Sequence, residues 1–426
     1  MGSVGRWRTV RLPRRIGFLG QGWSPDAGGV EVHTSALAEA LVQQGIEVGA
    51  LAWGSAEQGA RLLNQGGVTV TRQPRLRDKP AAFAGGVNSD DALELWLDTL
   101  RPELVHVHHL SGWGARALDV LRKRGLPVVV TLHDDWLICP RGQRWHVSNY
   151  LCRVPDPDAC AKCLGESHGE LAQTAEQLTK RLLHANQALQ FVDRIMAPSS
   201  TLLEAHQRAG LECAGPHALG RVMPLGIEAE SLGLETKRLR ALRGDDDLLR
   251  LGVLGSVQPS KGVLPLAEAV VAAGRADLVL EIHGPRTSYH GDSQTVSKVE
   301  ALARDHSAIR LHPSFHPARR AEVLAMLDGV VVPSLWEEGF GLGAREARAT
   351  GLPVLASRIG GLVQLDQDPG VTLVEPGDQE AWVEAIHAFK RGLIQPCDVI
   401  KSTLEMTDDV LAVYASVLQA RTDQAA

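Results

Sequence analysis

The stretch WEEGFGLGAREARATGLPVLAS, residues 336–357, sets glutamates at 337, 338 and 346 around a run of glycines and closes on a short apolar segment. Read as loop, helix and strand, it puts Glu338 at a helix mouth, with the helix starting near Gly341, and Glu346 about a turn and a half inside that helix. Carboxylates accept paired hydrogen bonds from vicinal diols such as those of a ribose or a hexose. The backbone N–H groups of Phe340, Gly341 and Leu342 can meet phosphate or hydroxyl oxygens. That combination suits a nucleotide sugar. Glu337 reads as a solvated charge.

Two further turns precede helical patterns. In LGSVQPSKGVLPLAEA, Lys261 stands beside Gly262 at a helix start, where an ammonium and free amides can together neutralise phosphate oxygens. In GFLGQGWSPDAGGVEVH, Pro25 occupies the place of the third glycine of a dinucleotide fingerprint, which weakens that reading. Gly28 and Gly29 lie directly before a helix and let its N–H groups approach an anion. His133 ends the apolar run PVVVTLH, just before Asp134 and Asp135. At the carboxyl end of a strand in an open parallel sheet it faces the ligand crevice, where it can donate to a substrate hydroxyl. His106, His108 and His109 in LVHVHHL are either functional or simply hydrogen-bonded inside the fold.

Of six cysteines, Cys139, Cys152, Cys160 and Cys163 share one short segment, while Cys213 and Cys397 stand alone. In a cytosolic protein such a cluster points to metal more than to disulfides. Cys160 and Cys163 make one chelating pair, and Cys139 and Cys152 complete four thiolates for a structural zinc. His146 is a competing ligand, and reduced thiols or a redox disulfide are the alternatives.

A chain of 426 residues exceeds one ordinary core, so two domains are expected. Hydrophobic residues at 44% and charged ones at 22% describe a soluble globular protein. No apolar run reaches the roughly 20 residues of a spanning helix, and the opening apolar segment is too short and glycine-broken to direct export. The expected location is the cytoplasm. A basic arm over 1–14, with Arg6, Arg8, Arg11 and Arg14 followed by Arg15, is read as a solvated tail, peripheral contact with an anionic inner membrane surface being the alternative. A net charge of -6 and the lack of aromatic–basic interleaving disfavour a nucleic-acid partner.

Strand-like runs alternate with helical patterns nearly throughout, the signature of parallel sheets. RIGFLGQ, IEVGALAW, VTVTRQ, LVHVHHL, PVVVTLH and RIMAPS serve a first domain, 15–227, with the cysteine insert at 139–163. A charged stretch, 228–247, reads as linker. LRLGVLGS, DLVLEIHG, IRLHPSF, GVVVPS, PVLAS and VTLVEP build a second domain, 248–400. A last helix, 401–426, is expected to pack back on the first. Ligands of such sheets sit outside the carboxyl ends of the strands, so the halves should face each other across a cleft.

Two glutamates separated by seven residues within PSLWEEGFGLGAREARATGLPVLAS closely resemble the signature of the retaining GT-B glycosyltransferases of family four. GGVEVHTSALAEAL, LVHVHHL, TLHDDWLICPRGQ, VDRIMAPSSTLLEAHQRAG, VMPLGIE, LGSVQPSKG and DGVVVPS follow in the expected order over nearly the whole chain. The resemblance implies an α/β GT-B fold: two Rossmann-like, doubly wound parallel-sheet domains facing a central cleft. It also implies transfer of a hexose-type sugar from a UDP- or GDP-sugar to a hydroxyl of a glycan, a lipid-linked sugar or a small metabolite, with no metal or other cofactor needed for catalysis. Carried over by position, Glu338 lies by the donor sugar and Glu346 binds the ribose hydroxyls. Gly339, Phe340, Gly341 and Leu342 line sugar and pyrophosphate, and Lys261 contacts the pyrophosphate. Gly28 and Gly29 lie near the leaving phosphate, and His133 touches the transferred sugar. Ser256 stands where many relatives have an arginine; it can still donate a hydrogen bond, but a positive charge is missing, for which Arg286 is a candidate substitute. A GT-B epimerase and a catalytically silent sugar- or partner-binding module are the competing readings.

Overall fold

The computed structural model describes residues 11–24, 28–54, 59–74, 87–169, 173–211, 220–244, 246–286, 292, 294–395 and 400–425. In the first half, β1 (Arg15–Leu19), β2 (Glu47–Gly54), β3 (Arg61–Gln65), β4 (Val68–Pro74), β5 (Leu104–Val107), β6 (Val128–Thr131), β7 (Arg194–Ala197) and β8 (Gly220–Val222) form one sheet. Its order is β3-β4-β2-β1-β5-β6-β7-β8, parallel except for the β3–β4 pair. In the second half, β9 (Leu249–Leu254), β10 (Leu278–His283), β11 (Ile309–His312), β12 (Gly329–Val332), β13 (Val354–Ser357) and β14 (Val371–Val374) run in the order β11-β10-β9-β12-β13-β14, all parallel. β5 and β6 are buried along their whole length. This is why they read as unbroken apolar runs rather than alternating ones. Each sheet reverses its winding beside its first strand, between β1 and β5 and between β9 and β12, and ligand crevices form at such points.

Every strand read from the sequence is present. The sequence reading missed β8 and the β3–β4 hairpin, although the hairpin carries a turn signal. Gly66 and Gly67 both have positive φ, 58° and 85°, and a Gly-Gly pair between two strands supplies the two left-handed residues of a tight turn. The charged stretch read as linker is itself largely a helix, Ala229–Arg240. Lys237, Arg238 and Arg240 occupy its last turn, where cations complement the helix dipole. Arg6, Arg8, Cys213 and Cys397 lie outside the described residues. Arg11 and Arg15 sit 3.8 and 3.9 Å from Glu103 and Glu47. Among the described residues no helix is long and apolar enough to cross a membrane.

The terminal helix, Thr403–Ala425, docks on the first half, where Met406, Val410, Leu411, Tyr414 and Val417 join one core with Ile16, Phe18, Leu37 and Leu41. A polar contact crosses that core. Buried His106 reaches the Tyr414 hydroxyl with Nδ1 at 2.7 Å and the Thr131 hydroxyl with Nε2 at 2.7 Å. Burial pushes its pKa down to about 3, so the ring is neutral and both nitrogens are used. Replacing Tyr414→Phe leaves Nδ1 unpaired at a cost of about 1–3 kcal/mol. The expected outcome is a lower urea midpoint by circular dichroism; an unchanged midpoint would show that the helix docks through apolar contact alone.

Candidate active site

A cavity of about 370 Å³ lies between the carboxyl ends of the two sheets. The first half lines it with Gly29, Val30, His133 and Asp134, and the second with Ser256, Lys261, Arg320, Trp336, Glu338, the segment Gly339 to Leu342, and Glu346. The structure thus brings together the donor and catalytic residues singled out in the sequence, apart from Gly28. That glycine is the N-cap of the helix Gly29–Gln43 and, lacking a side chain, makes no side-chain cap hydrogen bond. Gly29 and Val30 bring the positive end of this helix to the cleft.

Glu338 is the most heavily contacted side chain of the cleft. Its Oε1 accepts from Lys261 Nζ at 2.6 Å, from Ser334 Oγ at 2.6 Å and from Trp336 Nε1 at 3.1 Å. The Lys261 ammonium also lies 4.9 Å from the centre of the Trp336 ring, a cation–π contact that helps fix it. The lysine is aimed by Gly262, whose φ of 65° and whose Cβ position, 1.9 Å from the Pro333 carbonyl oxygen, exclude any side chain.

Glu346 sits on the helix Leu342–Ala349, whose N-cap is Gly341 with φ 76°. It is buried and ion-paired with Arg320. Burial raises its pKa to about 7, prevailing over the opposite pull of the Arg320 guanidinium. Arg320 was not found from sequence. It begins the short helix Arg320–Ala325 beside Arg319 and looks there like any surface arginine; only the fold turns it into the cleft. Arg286 does not take the role considered for it. It donates to the His312 carbonyl at 2.8 Å, lies 3.5 Å from Glu300 and is not among the residues lining the cleft. Ser256 is at the cleft and its hydroxyl accepts from Gln258 Nε2 at 2.8 Å.

His133 is held well below the ordinary histidine range by burial. Its Nε2 is 3.1 Å from His108 Nδ1, and its ring centre is 5.2 Å from that of His33. His33, His108 and His133 are, among the described residues, the one set of three potential metal ligands with donor atoms all within 4.8 Å. Burial depresses His33 to about 4 and His108 well below its usual value, so the rings are neutral, and among the described residues His33 Nδ1 and His108 Nε2 are buried without a hydrogen-bond partner. His109 instead pairs with Asp134 at 3.2 Å.

Glu337 is not the solvated charge expected. It pairs with the buried Arg144 of the cysteine insert and lies 3.7 Å from Arg208. Arg144 also meets Asp135 at 3.0 Å, and Ser260 Oγ donates to Gln143 Oε1 at 2.6 Å. The insert is thereby fastened to the turns that carry Lys261 and Glu338. Its four cysteines are unpaired and line a second cavity of about 340 Å³.

Residues 27–230 match the family described as Glycosyltransferase Family 4, and residues 249–390 match Glycosyl transferases group 1. A D-inositol 3-phosphate glycosyltransferase of Saccharomonospora viridis is 28% identical over 90% of this chain and 88% of its own. Its namesake in Actinosynnema mirum is 27% identical over 89% and 88%. Sucrose-phosphate synthase from Thermosynechococcus elongatus superposes with a TM-score of 0.66 at 19% identity, over 97% of this chain and all of that one. Anabaena HepE in complex with UDP and glucose gives 0.59 at 19%, over 96% and 98%. With two matched halves, two facing parallel sheets and glutamates at both ends of one helix mouth, the chain belongs to the GT-B glycosyltransferases of family four.

Proposed function

We propose that the chain moves a hexose-type sugar from a UDP- or GDP-sugar to an acceptor hydroxyl, with retention of anomeric configuration. The observation that carries this reading is the convergence of Glu338, Glu346 and Lys261 on one cleft. Glu346 accepts the ribose hydroxyls, and Glu338 with the amides of Gly339 to Leu342 meets the sugar. Lys261, Arg320 and the open end of the helix Gly29–Gln43 surround the diphosphate. In the reaction the bond from the anomeric carbon to the phosphate oxygen breaks, and the acceptor oxygen bonds to that carbon on the same face. The acceptor's proton passes to the departing phosphate oxygen, so no separate protein nucleophile is required. The chain's contribution is preorganised positive charge and dipole where the diphosphate charge develops. His133, neutral, donates a hydrogen bond to the transferred sugar. The shortfall left by Ser256 is met by Arg320, which lines the same cleft and becomes available when ribose competes for Glu346.

The acceptor is read as a hydroxyl of a glycan, a lipid-linked sugar or a small metabolite. The names of the relatives favour a second reading, a phosphorylated polyol of the inositol phosphate kind. Incubation with UDP- and GDP-sugars and both acceptor types, scoring released nucleotide and product, separates the two. Nucleotide that binds tightly yet is released from no donor with any acceptor would overturn the transferase reading.

Glu346→Ala should weaken donor binding by about 1.5–3 kcal/mol, the worth of hydrogen bonds to a charged group and roughly 10- to 100-fold in Kd, by calorimetric titration. Because ribose needs the ionised carboxylate and burial raises this group's pKa to about 7, donor Kd should rise as pH falls from 8 to 6. Glu346→Gln should flatten that dependence. His133→Ala should lower kcat by on the order of 10²-fold with a smaller change in donor Kd; normal turnover would remove it from the site.

A further inference from the structure

We propose that His33, His108 and His133 hold one divalent ion of the zinc class, and that the ion inhibits the cleft by engaging His133. Three rigid elements bring the rings together. His33 lies on the helix Gly29–Gln43, which follows β1; His108 directly follows β5; His133 stands two residues beyond β6. β1, β5 and β6 are neighbours in the first sheet, so the three side chains converge beside its winding reversal, where the ligand crevice forms. Ligands carried on a helix and on strand ends are held more firmly than ligands on long loops.

The spacing is that of ligands around an ion. In a tetrahedral site with Zn–N of about 2.0–2.1 Å, ligand nitrogens stand about 3.3 Å apart and imidazole ring centres about 5.2 Å apart. His108 Nδ1 and His133 Nε2 are 3.1 Å apart. Ring centres are 5.2 Å apart for His33 and His133, 5.4 Å for His108 and His133, and 6.0 Å for His33 and His108. One nitrogen of each ring lies within 4.8 Å of the other two. A hydrogen bond explains the His108–His133 pair but not the third ring. His33 Nδ1 and His108 Nε2 are buried without a partner, in residues only 5% and 1% exposed, and an unmet polar atom is costly there. An ion engages one nitrogen of every ring at once.

Imidazole nitrogen suits zinc, copper and nickel, whereas magnesium and calcium take oxygen ligands. Three protein ligands leave a fourth position. His133 lines the cleft, which gives the ion its entry path and the fourth position its solvent. The bound ion draws His133 to His33 and His108 and away from a sugar hydroxyl. That inhibitory consequence rests on the transferase reading, whereas the ion site does not. The cysteines of the insert, expected from the sequence to take zinc, offer sulfur, so ligand type tells the two sites apart.

The test titrates the full chain, carrying no polyhistidine tag and stripped with chelator, with Co2+, followed by visible absorption and calorimetry. The expected result is one Co2+ per chain whose spectrum lacks a sulfur-to-cobalt charge-transfer band, displaced by Zn2+ but not by Mg2+. His33→Ala and His108→Ala should each weaken this site at least about 100-fold, since loss of a ligand costs no less than loss of the group that orients one. Wild-type protein that binds no cobalt, or binds it only with sulfur character, overturns the proposal even if the variants fail to fold. So does a sulfur-free cobalt site kept at full affinity in both variants. With a donor that turns over, Zn2+ should inhibit the wild type at the Kd of the site and inhibit His33→Ala only at correspondingly higher concentration; equal inhibition of the two overturns the inhibitory role. A chain that turns over no donor fails the transferase reading alone, and the cobalt titration still decides the ion site.

Discussion

The cleft depends on one close approach between the two halves. At Gly339 an added Cβ would stand 2.5 Å from the carbonyl oxygen of His133, and the Gly339 carbonyl accepts from Ser199 Oγ at 2.6 Å. Backbone thus meets backbone where most glycosyl chemistry would be placed. A histidine from the end of β6 and a glutamate from the loop after β12 come together at one cleft because nothing larger than hydrogen occupies that point. The same loop is pressed from its other side, where Gly360 and Gly361 leave Cβ positions 2.6 Å from the backbone of Glu338 and Gly339. Three glycines therefore set the position of Glu338 as firmly as its hydrogen bonds do.

The charges of the cleft are arranged in opposed pairs, Lys261 with Glu338 and Arg320 with Glu346. Each pair joins a group suited to phosphate with a group suited to hydroxyls. On the proposed function a nucleotide sugar would supply both partners at once, so that donor binding would exchange two internal ion pairs for four ligand contacts without stranding a buried charge, the costly outcome for any such pair. A ligand offering phosphate alone or sugar alone would leave one member of a pair uncompensated. The pairing would then act as a filter for the complete donor.

Much of this was legible in the sequence, for physical reasons that differ by residue. The strands were visible because strands buried on both faces must be apolar throughout, and Glu338 and Glu346 because glycine, carboxylate and helix start coincide within eleven residues of chain. Lys261 followed from its place at a helix start beside a glycine, and His133 from its place at a strand end. Arg320, Arg144 and the partner of Glu337 were not legible. Each acts across a distance of many residues, and neither composition nor periodicity records which arginine will find which acid.

The docking of the terminal helix onto the first half makes the chain pass between the halves twice. The two passages lie side by side: Ile227 bridges Ser402, its N–H donates to the Lys401 carbonyl at 3.0 Å, and Gly226 abuts the backbone of Ser402 and Thr403. Two adjacent strands of connection have the geometry of a door's paired hinges, where a single strand would have that of a swivel. Swinging of the halves about the line they define would therefore be easier than the twisting that would shift Gly339 sideways from His133.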